Sequence, residues 1–288
     1  MPTALADLDP EDRPAATLSR RHAAGSESAR GLLLTVLGEF VLPTGGSVWT
    51  STIIDVLGRL GTEEKAARQA LLRTADAGLL TSRRHGRRTR WTLSASGTRL
   101  LTEGTERIYG FTGTHQDWDG NWLLVLARVP ETDRAARHLL RTRLRWAGLG
   151  SPTPGVWIST HPQRVAEASS VLEEAGMLAD AQIFVGQHYG GADLATLVRQ
   201  AWDLDAIEAG YETFAENFKR QPTKDPLARL TLLVHAWRRF PLIDPALPAS
   251  LLPAHWSGAT AARLFHRQHD KWTTEATAEW QRLTDLES

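Results

Sequence analysis

The chain has no cysteine and no net charge, and these two absences already narrow what it can do. Without cysteine it can form no disulfide, no thiolate zinc site, no iron–sulfur cluster and no cysteine nucleophile. No stretch approaches the ~18 uninterrupted apolar residues that a membrane span needs, so no membrane partner is expected. The first 25 residues carry four carboxylates and no apolar segment, which is unlike a signal peptide. We therefore expect a cytoplasmic protein.

Motifs that would mark an enzyme are also missing. The sequence has no P-loop, no complete Gly-x-Gly-x-x-Gly, no Gly-x-Ser-x-Gly and no His-Glu-x-x-His. His266 and His269 stand three positions apart on a predicted helix, but zinc would need at least one further ligand on that face. We therefore predict no catalytic residue, no cofactor and no metal, and we do not expect an enzyme.

The two signs of charge are unevenly distributed, although 33 basic residues balance 33 acidic ones. Residues 27–110 hold 12 Lys and Arg against 8 Asp and Glu, a net charge of +4. Residues 151–288 hold 12 against 17, a net charge of −5. This asymmetry favours an anionic partner for the basic part of the chain.

Local patterns divide the chain into four segments. Residues 1–26 have no hydrophobic period, which predicts a flexible tail. Residues 27–110 predict three helices, a hairpin and a fourth helix, which is the order of a winged helix-turn-helix. Residues 118–190 predict the order β-α-β-β-α-β of a ferredoxin-like domain, and residues 193–288 predict a helical domain. The predicted fold class is therefore α+β, with C-terminal helices at about 194–219, 225–239 and 258–284.

The predicted hairpin is strongly cationic. Five arginines fall within eight residues around its Gly turn: Arg83, Arg84, Arg87, Arg88 and Arg90. Like charges this close repel one another and favour an anionic partner. A wing that contacts phosphates or enters a minor groove of DNA has this composition. The alternative is a solvated charged hairpin with no partner.

The helix before the hairpin has the pattern of a recognition helix. If Ala67, Ala70, Leu71 and Thr74 face the core, the opposite face carries the polar residues Lys65, Arg68, Gln69 and Arg73. Arg can read guanine and Gln can read adenine in the major groove. Thr62 is predicted to cap this helix. Thr50 and Ser51 are predicted to cap the preceding helix, and they complete the predicted DNA-binding set.

The central segment offers a second candidate site, for a small-molecule effector. A predicted helix from about Thr132 to Trp146 carries arginines on one stripe, which could bind the phosphates of an effector, contact DNA or simply be solvated: Arg134, Arg137, Arg141 and Arg145. Three tryptophans, Trp122, Trp146 and Trp157, could line an aromatic pocket or belong to a core or an interface. Asp117 and Asp119 could hold a nuclease metal, although an exposed turn explains them better.

Short segments in three parts of the chain carry a family resemblance. In order they are Arg30-Gly-Leu-Leu-Leu-Thr-Val-Leu-Gly, Gly46-Ser-Val-Trp49, Ala67-Arg-Gln-Ala-Leu-Leu-Arg73, Gly86-Arg-Arg-Thr-Arg-Trp-Thr-Leu93, Arg107-Ile-Tyr-Gly110, Trp118-Asp-Gly-Asn-Trp122, Leu144-Arg-Trp-Ala-Gly-Leu-Gly150, Pro154-Gly-Val-Trp-Ile-Ser159, Leu251-Leu-Pro-Ala-His-Trp-Ser-Gly258 and Leu264-Phe265. They span about residues 28–268 and resemble the PaaX-type phenylacetic acid degradation repressors.

The resemblance implies a bacterial transcriptional regulator with an N-terminal winged helix and a helical C-terminal domain. It also implies a central ferredoxin-like domain similar to that of a CRISPR-associated endonuclease. Such regulators look like homodimers that bind palindromic double-stranded operators and are released by an aryl-acetyl-CoA thioester such as phenylacetyl-CoA. The chain departs from the family in its acidic tail of about 25 residues. It also has Ala66, Ala67 and Gln69 where family members often carry bulkier apolar residues and a hydroxyl group.

The sequence therefore predicts a DNA-binding repressor that responds to a small-molecule effector. Three other functions stay open at this point, of which the least specific is an interaction scaffold that does not bind DNA. A second is a nucleic-acid processing protein that uses the ferredoxin-like domain, with Asp119 at its metal. The third is an enzyme acting on an aromatic thioester, which the missing motifs disfavour.

Overall fold

The computed structural model describes residues 28–113, 118–129, 134–191 and 193–286, and it leaves out the side chains of residues 134 and 135. The predicted tail, Asp117 and the predicted helix start at Thr132 lie outside the described residues. Helices and two antiparallel sheets, one of three strands and one of four, make up the described chain, so the α+β class is confirmed. No helix within these ranges is long and apolar enough to cross a bilayer.

Through the four-stranded sheet, the elements follow one another in the order that the periodicity predicts, and the C-terminal helices differ from the prediction in number. The first group consists of α1 (Ala29–Val36) with a π-helical continuation (Leu37–Val41), β1 (Ser47–Trp49), α2 (Thr50–Arg59), α3 (Glu64–Asp76), β2 (Leu80–His85), β3 (Arg88–Leu93) and α4 (Ala95–Gly110). The second group consists of β4 (Asn121–Leu126), α5 (Arg134–Trp146), β5 (Gly150–Thr153), β6 (Val156–Ser159), α6 (Val165–Glu174) and β7 (Gln182–Gln187). The third group consists of α7 (Leu194–Ala201), α8 (Leu204–Phe218), α9 (Pro226–Trp237), α10 (Phe240–Ile243) and α11 (Gly258–Asp285).

The chain forms two compact units, and neither is continuous in sequence. Among the described residues, the first unit contains 28–110, 221–236 and 268–286. The second unit contains the described residues of 111–220 and of 237–267. The division into an N-terminal, a central and a C-terminal domain stays a prediction.

Helix starts in the first unit are set by local chemistry, in part differently from the prediction. Ser28 caps α1, because its Oγ accepts a hydrogen bond from the Gly31 N–H at 3.1 Å. Helix α2 begins at Thr50, one of its two predicted caps, and its N-cap residue is Trp49, which is extended. Helix α3 has Glu63 rather than Thr62 at its N-cap, and neither α2 nor α3 has a side-chain cap hydrogen bond.

Two glycines shape the connections around α3 and the hairpin. Gly61 lies between α2 and α3 with φ of 78°, a conformation that side chains with a Cβ rarely adopt. Gly97, in the first turn of α4, lies so close to the backbone carbonyl of Leu79 that a Cβ there would overlap it. The fourth helix is thereby packed against the base of the hairpin.

The three-stranded sheet has the strand order β1-β3-β2. Val48, Trp91 and Ser82 form one rung of the sheet, and Trp49, Arg90 and Arg83 form the next. Because successive residues of a strand point to opposite faces, these two rungs lie on opposite faces of the sheet. Val48 and Trp91 are buried, which identifies theirs as the inner face.

The four-stranded sheet of the second unit has the order β5-β6-β4-β7, and every neighbouring pair is antiparallel. Its core lies under one face, where Leu123 and Val125 of β4 pack with Leu140 and Leu144 of α5. The C-terminal helices pack around Trp237, which contacts several aromatic rings, among them the stacked Phe265 at 4.9 Å between centroids.

One predicted helix is two. The sequence predicts a single helix at about 194–219, but α7 ends at Ala201 and α8 begins at Leu204. Trp202 is extended at the break, and Asp203 caps α8 by accepting a hydrogen bond from the Ala206 N–H at 3.1 Å. An N-cap aspartate inside a hydrophobic period thus separates the two helices.

Candidate nucleic-acid interface

The cationic hairpin is built as the sequence predicts, and its arginines face solvent. All five wing arginines, Arg83, Arg84, Arg87, Arg88 and Arg90, are exposed. Arg83 stands directly opposite Arg90 across the β2–β3 ladder, and His85 stands opposite Arg88. Like charges directly opposite each other destabilise a sheet, so the Arg83–Arg90 pair favours an anionic partner.

A tryptophan that the sequence reasoning did not select organises one side of this hairpin. Trp49 is half-buried, and the guanidinium carbon of Arg88 lies 4.1 Å from the centroid of its ring. The guanidinium carbon of Arg90 lies 5.7 Å from the same ring, and the ring of His85 meets it edge-on at 5.5 Å between centroids. We call this group, with Arg83, the outer sheet face. The signal in the sequence was an aromatic residue at the end of a short predicted strand, which here pairs with the arginine-rich strand β3.

Helix α3 presents the predicted polar face. Its residues Ala67, Ala70, Leu71 and Thr74 are buried. The four predicted recognition residues, Lys65, Arg68, Gln69 and Arg73, are exposed. Glu64, which the sequence reasoning did not consider, holds Arg68 in an exposed ion pair at 2.7 Å. An anion that binds Arg68 would have to displace this carboxylate.

Thr50 and Ser51 differ in their surroundings. The Thr50 hydroxyl donates to the backbone oxygen of Thr89 at 3.1 Å and accepts from the indole N–H of Trp91 at 2.9 Å. It therefore joins the start of α2 to strand β3, and its proton is already used. Ser51 is exposed. A DNA contact at either residue stays a prediction.

The arginine stripe of α5 lies partly on the surface. Arg137, Arg141 and Arg145 are exposed, and the side chain of Arg134 lies outside the described residues. Burial of part of the group lowers the pKa of Arg145, and the neighbouring charge of Arg141 lowers it further. A phosphate beside the Arg145 guanidinium would favour its charged form.

The three candidate tryptophans do not converge. Trp157 pairs with Val125 across the β4–β6 ladder. It belongs to the core between the four-stranded sheet and helices α5 and α6. Trp122 is buried on the opposite face of the same sheet, because it lies three residues before Val125. Trp146 is half-buried on α5. The indole N–H groups of Trp122 and Trp157 are buried without a hydrogen-bond partner among the described residues.

Two of the candidate metal ligands, Asp119 and His269, are in contact with other polar groups. Asp119 accepts hydrogen bonds from the backbone and side-chain amides of Asn121 at 2.9 and 2.7 Å, which lower its pKa. His269 lies 2.9 Å from Glu39 and 3.1 Å from the Tyr109 hydroxyl. Within the described ranges, no cluster of three or more metal-ligating side chains is present.

The site is therefore an exposed, arginine-rich hairpin beside a helix with an exposed basic and amide face, on an α+β scaffold. This composition is that of a surface for a polyanion. Comparison with known proteins identifies the family.

Three family models match successive parts of the chain. They are described as PaaX-like protein, at residues 28–97, PaaX protein central Cas2-like domain, at residues 115–198, and PaaX-like protein C-terminal domain, at residues 202–282. The transcriptional repressor PaaX of Escherichia coli is 33% identical over 260 residues, which cover 85% of this chain and 81% of the relative. The chain belongs to the PaaX family.

A solved structure has the same fold. The uncharacterized protein Rv0674 from Mycobacterium tuberculosis aligns with a TM-score of 0.61 and 24% identity, over 89% of this chain and all of the other. At this identity the similarity speaks for the fold alone.

Proposed function

We propose that this protein is a sequence-specific DNA-binding transcriptional repressor. Residues 28–110 would form a winged helix-turn-helix, with α3 in the major groove and the β2–β3 hairpin as the wing. The central four-stranded sheet would be a ferredoxin-like domain, which its strand order and its β-α-β-β-α-β sequence of elements support. We propose no catalytic role for any residue.

The observation that carries the proposal is the exposure of the wing arginines next to an exposed recognition face on α3. Lys65, Arg68 and Gln69 would contact base edges, because the N-terminal part of a recognition helix enters the major groove. Arg73 and the wing arginines would hold phosphates or the minor groove. The repressor relative in Escherichia coli supports the same function.

Two copies of the chain would bind a palindromic operator, since winged-helix proteins commonly use paired half-sites about one helical turn apart. An aromatic acyl-CoA thioester would release the DNA. If the effector binds better to the DNA-incompetent state, operator affinity must fall by the same coupling factor. The exposed arginines of α5 are the candidate contacts for its phosphates.

The decisive experiment is selection of bound fragments from sheared genomic DNA by the full-length protein, followed by titration of the selected duplex. We expect it to bind at least ~10³-fold more tightly than a mixed-sequence duplex at equal salt. Arg87→Ala should weaken binding to every duplex and reduce the salt slope by about one. Arg263→Ala, which removes an exposed arginine of α11, is the matched control.

Equal affinity for selected and mixed-sequence DNA would contradict sequence-specific repression. For the effector, acyl-CoA thioesters and free aromatic acids should be compared by thermal shift, since a ligand of the native state raises the unfolding midpoint. A thioester that raises the midpoint should also release the selected duplex. A stabilising thioester that leaves the complex intact would contradict the proposed release mechanism.

A further inference from the structure

The outer sheet face has a charge arrangement that needs explanation. Arg83, Arg88 and Arg90 share this face, because residues paired across a ladder, and residues two apart on one strand, point to the same side. Arg83 and Arg90 stand directly opposite each other. All three are exposed, so they repel one another at the surface.

Trp49 lies on the edge strand β1, next to Arg90 of the central strand β3, and it is less buried than its neighbours on the inner face. On the inner face Val48 and Trp91 are 3% and 6% exposed, whereas Trp49 on the outer face is half-buried. Its ring carries Arg88 at 4.1 Å and Arg90 at 5.7 Å, both within the range of a cation–π interaction. The negative π-face thus offsets part of the repulsion between the guanidinium groups.

The base of this ring is held firmly. Trp49 pairs with Arg90 in the β1–β3 ladder, and α2 begins at the next residue. The Thr50 hydroxyl then donates to the Thr89 oxygen at 3.1 Å, which ties the start of α2 to the same strand. The backbone of Trp49 is therefore anchored in the sheet, and its ring gives Arg88 and Arg90 a surface on which to stack.

Stacking on a ring has a defined consequence for an arginine. The ring covers the face of the guanidinium plane, whereas a bidentate contact with phosphate uses the N–H donors at the edge of the plane. An arginine already held in place loses less conformational freedom when it binds.

We propose that the outer sheet face is the phosphate-binding surface of the hairpin, and that Trp49 is a positioning residue that preorganises Arg88 and Arg90 for the DNA backbone. The proposal rests on the proposed DNA-binding function and adds the face of the wing that binds and the residue that organises it.

The test measures the affinity of the full-length protein for a fluorescein-labelled mixed-sequence duplex of ~30 base pairs, about three helical turns, at low salt. W49L keeps apolar bulk but removes the π-face, and it should weaken binding by about three- to tenfold. W49F keeps the face and should lie within about twofold of the wild type. R263A removes an exposed arginine of the second compact unit; it is the control for loss of one positive charge outside the hairpin and should also lie close to the wild type.

A double-mutant cycle separates positioning from a merely structural role. If Trp49 acts through the arginines, W49L should cause a much smaller loss in the R88A background than in the wild type. The same loss in both backgrounds would overturn the proposal. R88K leaves Trp49 in place and keeps the positive charge, but lysine lacks the planar guanidinium that stacks on a ring and binds phosphate in a bidentate way. We therefore expect R88K to lose about as much DNA affinity as W49L.

The binding measurements distinguish failure of this inference from failure of the proposed function. Unchanged affinity of W49L overturns the inference, and wild-type affinity of R88K does so even if W49L fails to fold. A wild-type chain that binds no duplex overturns the proposed function and this inference with it. A binding wild type with unaffected variants overturns the inference alone.

Discussion

The indole ring of Trp280 stacks on the phenyl ring of Phe40, with 5.2 Å between the ring centroids and 19° between the planes. Both residues are almost fully buried. Phe40 comes from the π-helical continuation of α1, and Trp280 comes from the last helix of the chain. The first compact unit therefore buries apolar surface from both ends of the chain in one core.

This contact predicts that the C-terminal helix stabilises the N-terminal helices. Trp280→Ala should lower the free energy of unfolding by about 3–5 kcal/mol, because a large buried ring leaves a cavity. Denaturant unfolding followed by circular dichroism measures this change. Leu286→Ala, at a residue that is 73% exposed, should change stability by no more than about 0.5 kcal/mol. Equal stability of the Trp280 variant and the wild type would show that the last helix packs independently.

The Glu64–Arg68 ion pair predicts a gain of DNA affinity on mutation. Glu64→Gln removes a carboxylate that holds Arg68 and repels phosphate, so affinity for a mixed-sequence duplex should rise roughly two- to fivefold.

Arg68→Ala should cost about 1–3 kcal/mol of binding free energy at the operator and relax specificity at one position. Anisotropy titrations of both variants and of Glu103→Gln, an exposed glutamate of α4, test this. Unchanged operator affinity of Arg68→Ala would refute the recognition role of α3.

The close approach of Gly97 to Leu79 predicts opposite outcomes for two substitutions in α4. Alanine is the better helix former at both Gly97 and Gly104. A Cβ at Gly97 would overlap the Leu79 backbone, so Gly97→Ala should destabilise the protein by about 1–3 kcal/mol. Gly104 has open space around it, and Gly104→Ala should stabilise by up to about 1 kcal/mol. Thermal unfolding of the two variants distinguishes packing from helix propensity, since propensity alone would stabilise both.

The carboxylate of Glu279 predicts a loss of stability in acid. Hydrogen bonds from Arg282 and Arg59 lower its pKa from 4.5 to about 2. A group whose pKa is lower in the folded state contributes stability that is complete above the unfolded pKa and is lost as the pH falls through the folded value. Stability should therefore decline between about pH 4.5 and pH 2, and Glu279→Gln should make that decline shallower. Urea titrations at several pH values measure it, and identical slopes for both proteins would contradict the assignment.

Much of the local structure was predictable from sequence alone. The apolar spacing of α3 identified its buried face, and glycines at the ends of helices and in the hairpin marked the turns, because a helix period and a positive φ depend on neighbouring residues. Exposure of the wing arginines followed from their charge, since arginine side chains are rarely fully buried. The break at Trp202 was missed, because a hydrophobic period continues across an internal cap.

What the sequence by itself determined, then, is the order of helices and strands through the four-stranded sheet and the concentration of positive charge on one hairpin. Only the tertiary structure placed Trp49 beneath Arg88, engaged the Thr50 hydroxyl with Trp91, and brought Trp280 to Phe40. It also placed Trp122 and Trp157 on opposite faces of one sheet. These relationships join residues that are far apart along the chain or lie on different strands. They depend on strand register and helix packing, which the local periodicity of a sequence does not encode.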